Sequence, residues 1–190
     1  MLFRSTPGWV GDRYDVRAAW RWLCAVLPAD AALVPLVQHS KRPALKGWPA
    51  LRARDRAQPE LQSALVGQAG VGLVCGDASQ GVGMLDLDVD SAVAAMEVAL
   101  PTLAEAPRIH GARGCKWLVR LPAGCRGMAL LGPDGGRLGE LLATGQQGVV
   151  AGLHPDTGVP YSWLRSEQSI PVVDLTELHE ALARCAVQQG

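Results

Sequence analysis

Three aspartates alternate with apolar residues in the run Leu85-Asp86-Leu87-Asp88-Val89-Asp90. Side chains alternate along an extended strand, so the aspartates leave one face while Leu85, Leu87 and Val89 leave the other. Residues two apart are separated by roughly 6.5–7 Å, a span across which two carboxylates converge on one divalent ion or on a pair of ions. Hard oxygen donors favour magnesium or manganese. The competing reading is an edge strand whose aspartates face water and oppose aggregation. The neighbouring strand candidates are apolar on both sides of the pleat, which predicts a central strand instead, and clustered carboxylates there call for a cation. Asp90 falls where a helix should begin and serves at least as well as an N-cap. Nucleotidyl transfer, metal-dependent nuclease and sugar-nucleotide transferase chemistry all use such pairs, and the chain lacks the Rossmann half that the last normally needs.

The densest basic patch is Lys41, Arg42 and Lys46 beside Trp48. It suits the backbone of a single-stranded template, and equally an ordinary solvated loop. Formal charge is zero, so nucleic-acid binding must rest on a local patch rather than on the total. Cys24, Cys75, Cys115, Cys125 and Cys185 are scattered without metal-ligand spacing and read as free buried thiols. No apolar run spans a bilayer and no secretory h-region is visible, which predicts a cytoplasmic protein without a membrane partner. No Gly-x-x-x-x-Gly-Lys-Ser/Thr motor motif is present, so any unwinding falls to a separate helicase.

These residues need positioning elements. Val16, Ala19, Trp20, Leu23 and Leu27 mark an amphipathic helix within Asp12–Leu27, ended by Pro28. Ala32–Val37 reads as a buried strand, and Arg54–Leu65 as a short surface helix entered through Pro59. Gly70–Gly76 and Val82–Asp90 read as a hairpin, followed by a helix capped at Asp90 or Ser91 and running to Ala99. Further strands are expected at Cys115–Pro122, Gly139–Thr144 and Gly148–Leu153, and a closing helix after Asp174, whose Asp174-x-x-Glu177 spacing makes a capping box. The pattern predicts one αβ unit over residues 1–190, with a mixed or antiparallel sheet flanked by helices around a cleft, open to division into lobes near 1–70 and 71–190.

Four segments, taken in order, resemble the bifunctional DNA primase/polymerase domain of the archaeo-eukaryotic primase superfamily: LVPL with SKRPALKGW (33–48), GVGLVCGDASQGVGMLDLDVD (70–90), RIHGARGCKWLVRLP (108–122) and GELLATGQQGVVAGLHPDTGVPYSW (139–163). The resemblance implies an αβ core with an RRM-like sheet, two divalent ions, and template-directed polymerisation of (d)NTPs on single-stranded DNA. It implies that Asp86 and Asp88 are the metal-binding acidic pair and Glu140 the third carboxylate, although the residue alone reads equally as a surface strand carboxylate. Many members carry a histidine where this chain has Lys116. That departure resembles a branch found in phage and plasmid proteins, and a lysine there suits a triphosphate. Arg108, Arg113 and Arg120 flank it. The resemblance also places His154 near the nucleotide, although a lone histidine in a Pro/Gly turn serves equally as a local hydrogen-bonder. Tyr161 and Trp163 are expected in the core, with base stacking as the lesser reading. The site expected is therefore Asp86, Asp88 and Glu140 for metal and catalysis, Lys116, Arg113 and His154 for nucleotide, and Lys41, Arg42 and Lys46 for template. The rival of another class is a catalytically silent replication accessory that only binds nucleic acid.

Overall fold

The computed structural model describes residues 4–10 and 13–185. Strands β1 (Arg4–Ser5), β2 (Trp9–Val10) and β3 (Arg13–Tyr14) precede helix α1 (Val16–Val26). Next come β4 (Ala32–Leu36), α2 (Pro59–Ala64), β5 (Gly70–Val74), β6 (Val82–Leu87) and α3 (Asp90–Ala99). The remainder is β7 (Arg108–His110), β8 (Cys115–Arg120), β9 (Met128–Leu131), β10 (Arg137–Leu142), β11 (Gln147–Gly152), β12 (Ser162–Leu164) and α4 (Leu175–Arg184). A seven-stranded sheet runs β1-β12-β7-β8-β6-β10-β9, and a smaller one runs β11-β5-β4. All neighbours in both sheets pair antiparallel, giving the expected αβ class.

The alternation in β6 divides the core. Val82 and Met84 join Ile109, Leu118, Leu142 and Trp163 in the layer shared with the smaller sheet and α1. Leu85 and Leu87 join Trp117, Val119 and Leu141 beneath α3 and α4. A Cβ on Gly148 would lie 2.3 Å from Met84 Sδ, so the sheets approach closely because β11 presents no side chain there.

Local signals place most elements. Asp15 accepts from the amides of Arg17 (2.8 Å) and Ala18 (3.3 Å), so α1 starts at Val16, later than the Asp12 expected; Asp12 lies outside the described residues. Asp174 accepts from Thr176 N (2.7 Å) and Glu177 N (3.2 Å) and starts α4 as expected. The helix expected over 54–65 is divided: a 3-10 turn, Ala53–Ala57, precedes α2, with Pro59 opening the second piece. Asp90 is the first residue of α3, behind Val89, and is not the cap. Its Oδ1 instead accepts from Gly114 N at 2.6 Å, tying the loop before β8 to the end of β6.

The hairpin expected from β5 to β6 does not form: the strands belong to different sheets, and an isolated bridge pairs Gly76, past the end of β5, with Val82. Gly76 (φ +72°), a 3-10 turn at Asp77–Ser79 and left-handed Gln80 (φ +50°) redirect the chain. Buried Ser79 holds the corner, its Oγ accepting from Ala32 N (2.7 Å) and donating to Val74 O (2.5 Å). Among the described residues, no helix is long and apolar enough to cross a membrane.

One carboxylate locks α3 to the large sheet. Glu97 Oε1 accepts from Arg108 Nη1 (2.7 Å), Arg165 Nη2 (3.0 Å) and Trp117 Nε1 (3.2 Å). The arginine side chains are only 15% and 13% exposed, so removing their anion leaves two poorly solvated charges. Glu97→Ala is expected to cost about 2 kcal/mol and to lower the melting temperature by roughly 4–8 °C. A melt that matches wild type removes the network from the account of stability.

Candidate active site

Asp86 lies on the same face of β6 as Val82 and Met84, directly opposite Lys116 of β8 and Glu140 of β10. Residues directly opposite in an antiparallel pair share a face, with Cβ atoms about 4.5–5.5 Å apart, so the three side chains form a row across the middle of the large sheet. Beyond Met84 that row opens into a cavity of about 460 Å³. Lys116 Nζ pairs with Asp86 Oδ2, the two side chains being 12% and 14% exposed. Asp88, just past the end of β6, lines the cavity and hangs from the large sheet through its amide, which donates to Leu138 O at 2.8 Å.

Three loops complete the walls. The first, 111–114, brings Arg113 to the cavity. Gly114 (φ +58°) permits this, since a Cβ there would stand 1.8 Å from Leu87 O. The second is the turn after β11, closed by His154 N to Val159 O and Gly158 N to His154 O, both 2.8 Å. It presents His154, Asp156 and Thr157. His154 Nδ1 accepts from Asp156 N at 3.4 Å, which leaves the proton of the neutral ring on Nε2. The third loop follows β4 and delivers Lys41, whose backbone oxygen accepts from Gln147 Nε2 at 2.7 Å. Tyr161 packs at the base with its ring centroid 6.2 Å from that of His154.

The structure thus brings together Asp86, Asp88, Lys116, Arg113, His154 and Lys41. Glu140 shares the row but is not in the cavity lining; its carboxylate accepts from Arg137 at 3.4 Å. Lys41 lines the cavity with Arg113 and Lys116, whereas Arg42 and Lys46 are exposed outside the lining. Two of the three flanking arginines turn elsewhere, Arg108 to Glu97 and Arg120 to Asp30. Asp156 and Thr157 were not singled out in the sequence; the His-Pro-Asp-Thr-Gly turn was their only signal.

Burial pushes the Tyr161 hydroxyl and the Cys75 and Cys115 thiols up to about 12. All three stay protonated near neutrality, so neither thiol offers a ready nucleophile. Cys24 is exposed, whereas Cys75, Cys115, Cys125 and Cys185 are buried free thiols, as expected for all five. His154 is lowered, first by burial and then by Lys41, with Asp156 opposing and Lys116 and Arg113 adding to the depression.

Among the described residues, no group of three His, Cys, Asp or Glu side chains is arranged to hold a metal. Two carboxylates on one cavity wall nevertheless suit magnesium, which commonly binds through one or two protein carboxylates and takes the rest of its shell from substrate phosphates and water. The cavity thus has acidic residues on one wall and cations around it. The family model described as "Bifunctional DNA primase/polymerase, N-terminal" matches residues 25–181, and the chain belongs to that family. Membership points to DNA primase/polymerase activity of nucleotidyltransferase type, with DNA and nucleotides as substrates. No curated protein matches the chain.

His154 gives a direct test of the cavity's electrostatics. Its depressed pKa means that more than half of the ring is neutral at pH 6.5, the ordinary midpoint. An NMR titration of the ring protons should show a midpoint below 6.5. A midpoint at or above the ordinary value would place His154 outside the field of Lys41, Lys116 and Arg113.

Proposed function

We propose that this chain is a template-directed nucleotidyltransferase that uses a divalent ion, magnesium or manganese, to join (d)NTPs on single-stranded DNA. The observation that carries the reading is the joining of Asp86 and Asp88 with Lys41, Arg113, Lys116 and His154 around one cavity, in a chain of the primase/polymerase family. Its volume lies within the ordinary range for small-ligand sites.

In this reading Asp86 and Asp88 hold the metal. Glu140, opposite Asp86 on β10, supplies a third carboxylate once it leaves Arg137. Divalent ions held there would supply the chemistry of lowering the pKa of an attacking 3′-hydroxyl and stabilising a leaving pyrophosphate. Lys116, Arg113 and Lys41 set positive charge against the triphosphate, and His154 donates from Nε2 to a phosphate oxygen. Tyr161 limits the volume at the base. Arg42 and Lys46, exposed on the loop that carries Lys41, contact the template backbone. A separate helicase opens duplex where needed.

Primer extension with labelled dNTPs, Mn²⁺ and a primed template separates the candidates. The primer lengthens for a polymerase, shortens for a nuclease, and only shifts in mobility for a silent binder. Asp86→Asn and Asp88→Asn are each expected to reduce synthesis roughly a hundredfold or more, since the ion supplies several kcal/mol of transition-state stabilisation. Wild-type rates in either variant would falsify the metal assignment.

The division of the basic loop is tested separately. Lys41→Ala should raise the KM for nucleotide and leave the salt dependence of oligonucleotide binding intact. Arg42→Ala and Lys46→Ala should each flatten the slope of log K against log salt by about 0.7 and spare the nucleotide KM. The reverse pattern would return Lys41 to the template surface.

A further inference from the structure

Asp86 already has a cation. Its carboxylate lies directly opposite Lys116 in register and pairs with that ammonium, with both side chains largely shielded from water. On the other side of the row, Glu140 is engaged by Arg137. At rest, then, two of the three carboxylates assigned to metal are paired with the chain's own cations, and among the described residues exposed Asp88 forms no ion pair. The cavity wall is also balanced: Lys41, Arg113 and Lys116 stand against Asp86, Asp88 and Asp156. With His154 held toward its neutral form, that balance favours neither a bare divalent cation nor a bare polyanion.

We infer that Lys116 is a counter-ion latch that couples metal loading to nucleotide loading. In the nucleotide-free protein its ammonium occupies Asp86 and keeps divalent-ion affinity low. An arriving triphosphate offers Lys116 a stronger anionic partner, and its transfer from carboxylate to phosphate exposes Asp86 to the ion. Lysine suits this exchange, being a compact charge on a flexible four-carbon stem with three rotatable donors. Linkage makes the effect reciprocal: whatever factor the nucleotide adds to metal affinity, the metal adds to nucleotide affinity. The inference rests on the nucleotidyltransferase reading and adds to it an order of events.

The test is Mn²⁺ binding to the full chain, followed through the electron paramagnetic resonance signal of the free aqua ion. It is run with and without a deoxynucleoside triphosphate carrying a non-hydrolysable imido bridge between the α and β phosphates. Wild type should bind Mn²⁺ weakly alone and about tenfold or more tightly with the analogue. Lys116→Met should bind nucleotide-free Mn²⁺ about tenfold more tightly than wild type and lose most of the analogue's enhancement. Lys116→Arg, which keeps a cation on Asp86, should retain weak nucleotide-free binding. The double variant Lys116→Met/Asp86→Asn leaves no unpaired charge in the row's centre, which protects its fold, and should lose the gain, assigning it to Asp86. If Lys116→Met binds nucleotide-free Mn²⁺ no better than wild type, or the double variant keeps the gain, the latch is overturned. Primer extension by wild type from the same preparation reports on nucleotidyl transfer independently, so failure of the latch and failure of the enzymatic reading give different results.

Discussion

A carboxylate in the middle of a seven-stranded sheet cannot turn to an edge for solvation. Asp86 has β8 on one side and β10 on the other, so its surroundings must supply what water would. An isolated ionised carboxylate in an apolar layer is costly enough that it is paired, hydrogen-bonded or neutralised. Pairing with Lys116 meets that requirement within the sheet's own register, and the cavity forms where the apolar row of Val82 and Met84 gives way to this pair. The smaller sheet covers the apolar part of the row and leaves the charged part open. The site is therefore set by where along one strand the residue type changes.

The divergence of β5 and β6 makes that boundary possible. A tight hairpin would have placed both strands in one sheet and left no second layer over Met84. Instead the corner at Gly76–Gln80 sends β5 into the covering sheet, where it pairs with β4 and β11. Ser79 satisfies backbone groups of both β4 and β5 from inside the corner, so the turn is fixed without exposing polar backbone to the core. Because β11 belongs to the covering sheet, the loop that follows it brings His154 and Asp156 to the cavity that Asp86 lines, and Gln147 at the start of β11 fastens the Lys41 loop.

Local chemistry in the sequence and long-range pairing in the fold differ in how readily they can be read. The alternation in 85–90 singled out Asp86 and Asp88 as candidates and predicted a central strand, and the Asp174 cap marked α4, because each signal lies within a few consecutive residues. The membership of β5 and β6 in separate sheets was not legible, since two apolar strands joined by a short small-residue segment carry the same pattern whether they pair or part. β7, β9 and β12, at three or four residues each, are too short for periodicity to register. Lys41 was read with its sequence neighbours Arg42 and Lys46, yet the fold separates it from them, because β11 returns from more than a hundred residues away to hold its backbone.

Charge ties the site to the whole molecule. A chain of zero formal charge exerts little long-range attraction on a polyanion, so any hold on DNA depends on short-range contacts at exposed cations such as Arg42 and Lys46. The cavity follows the same economy at smaller scale, with lysine and arginine matched against aspartate rather than outnumbering it. A wall with excess positive charge would trap any phosphate, whereas a balanced one discriminates by requiring an anion and a cation together. On the proposed reading, nucleoside triphosphates with their divalent ion meet that condition. Selectivity in this view comes from the internal neutralisation of Asp86, the same interaction that lets a carboxylate occupy the centre of the sheet.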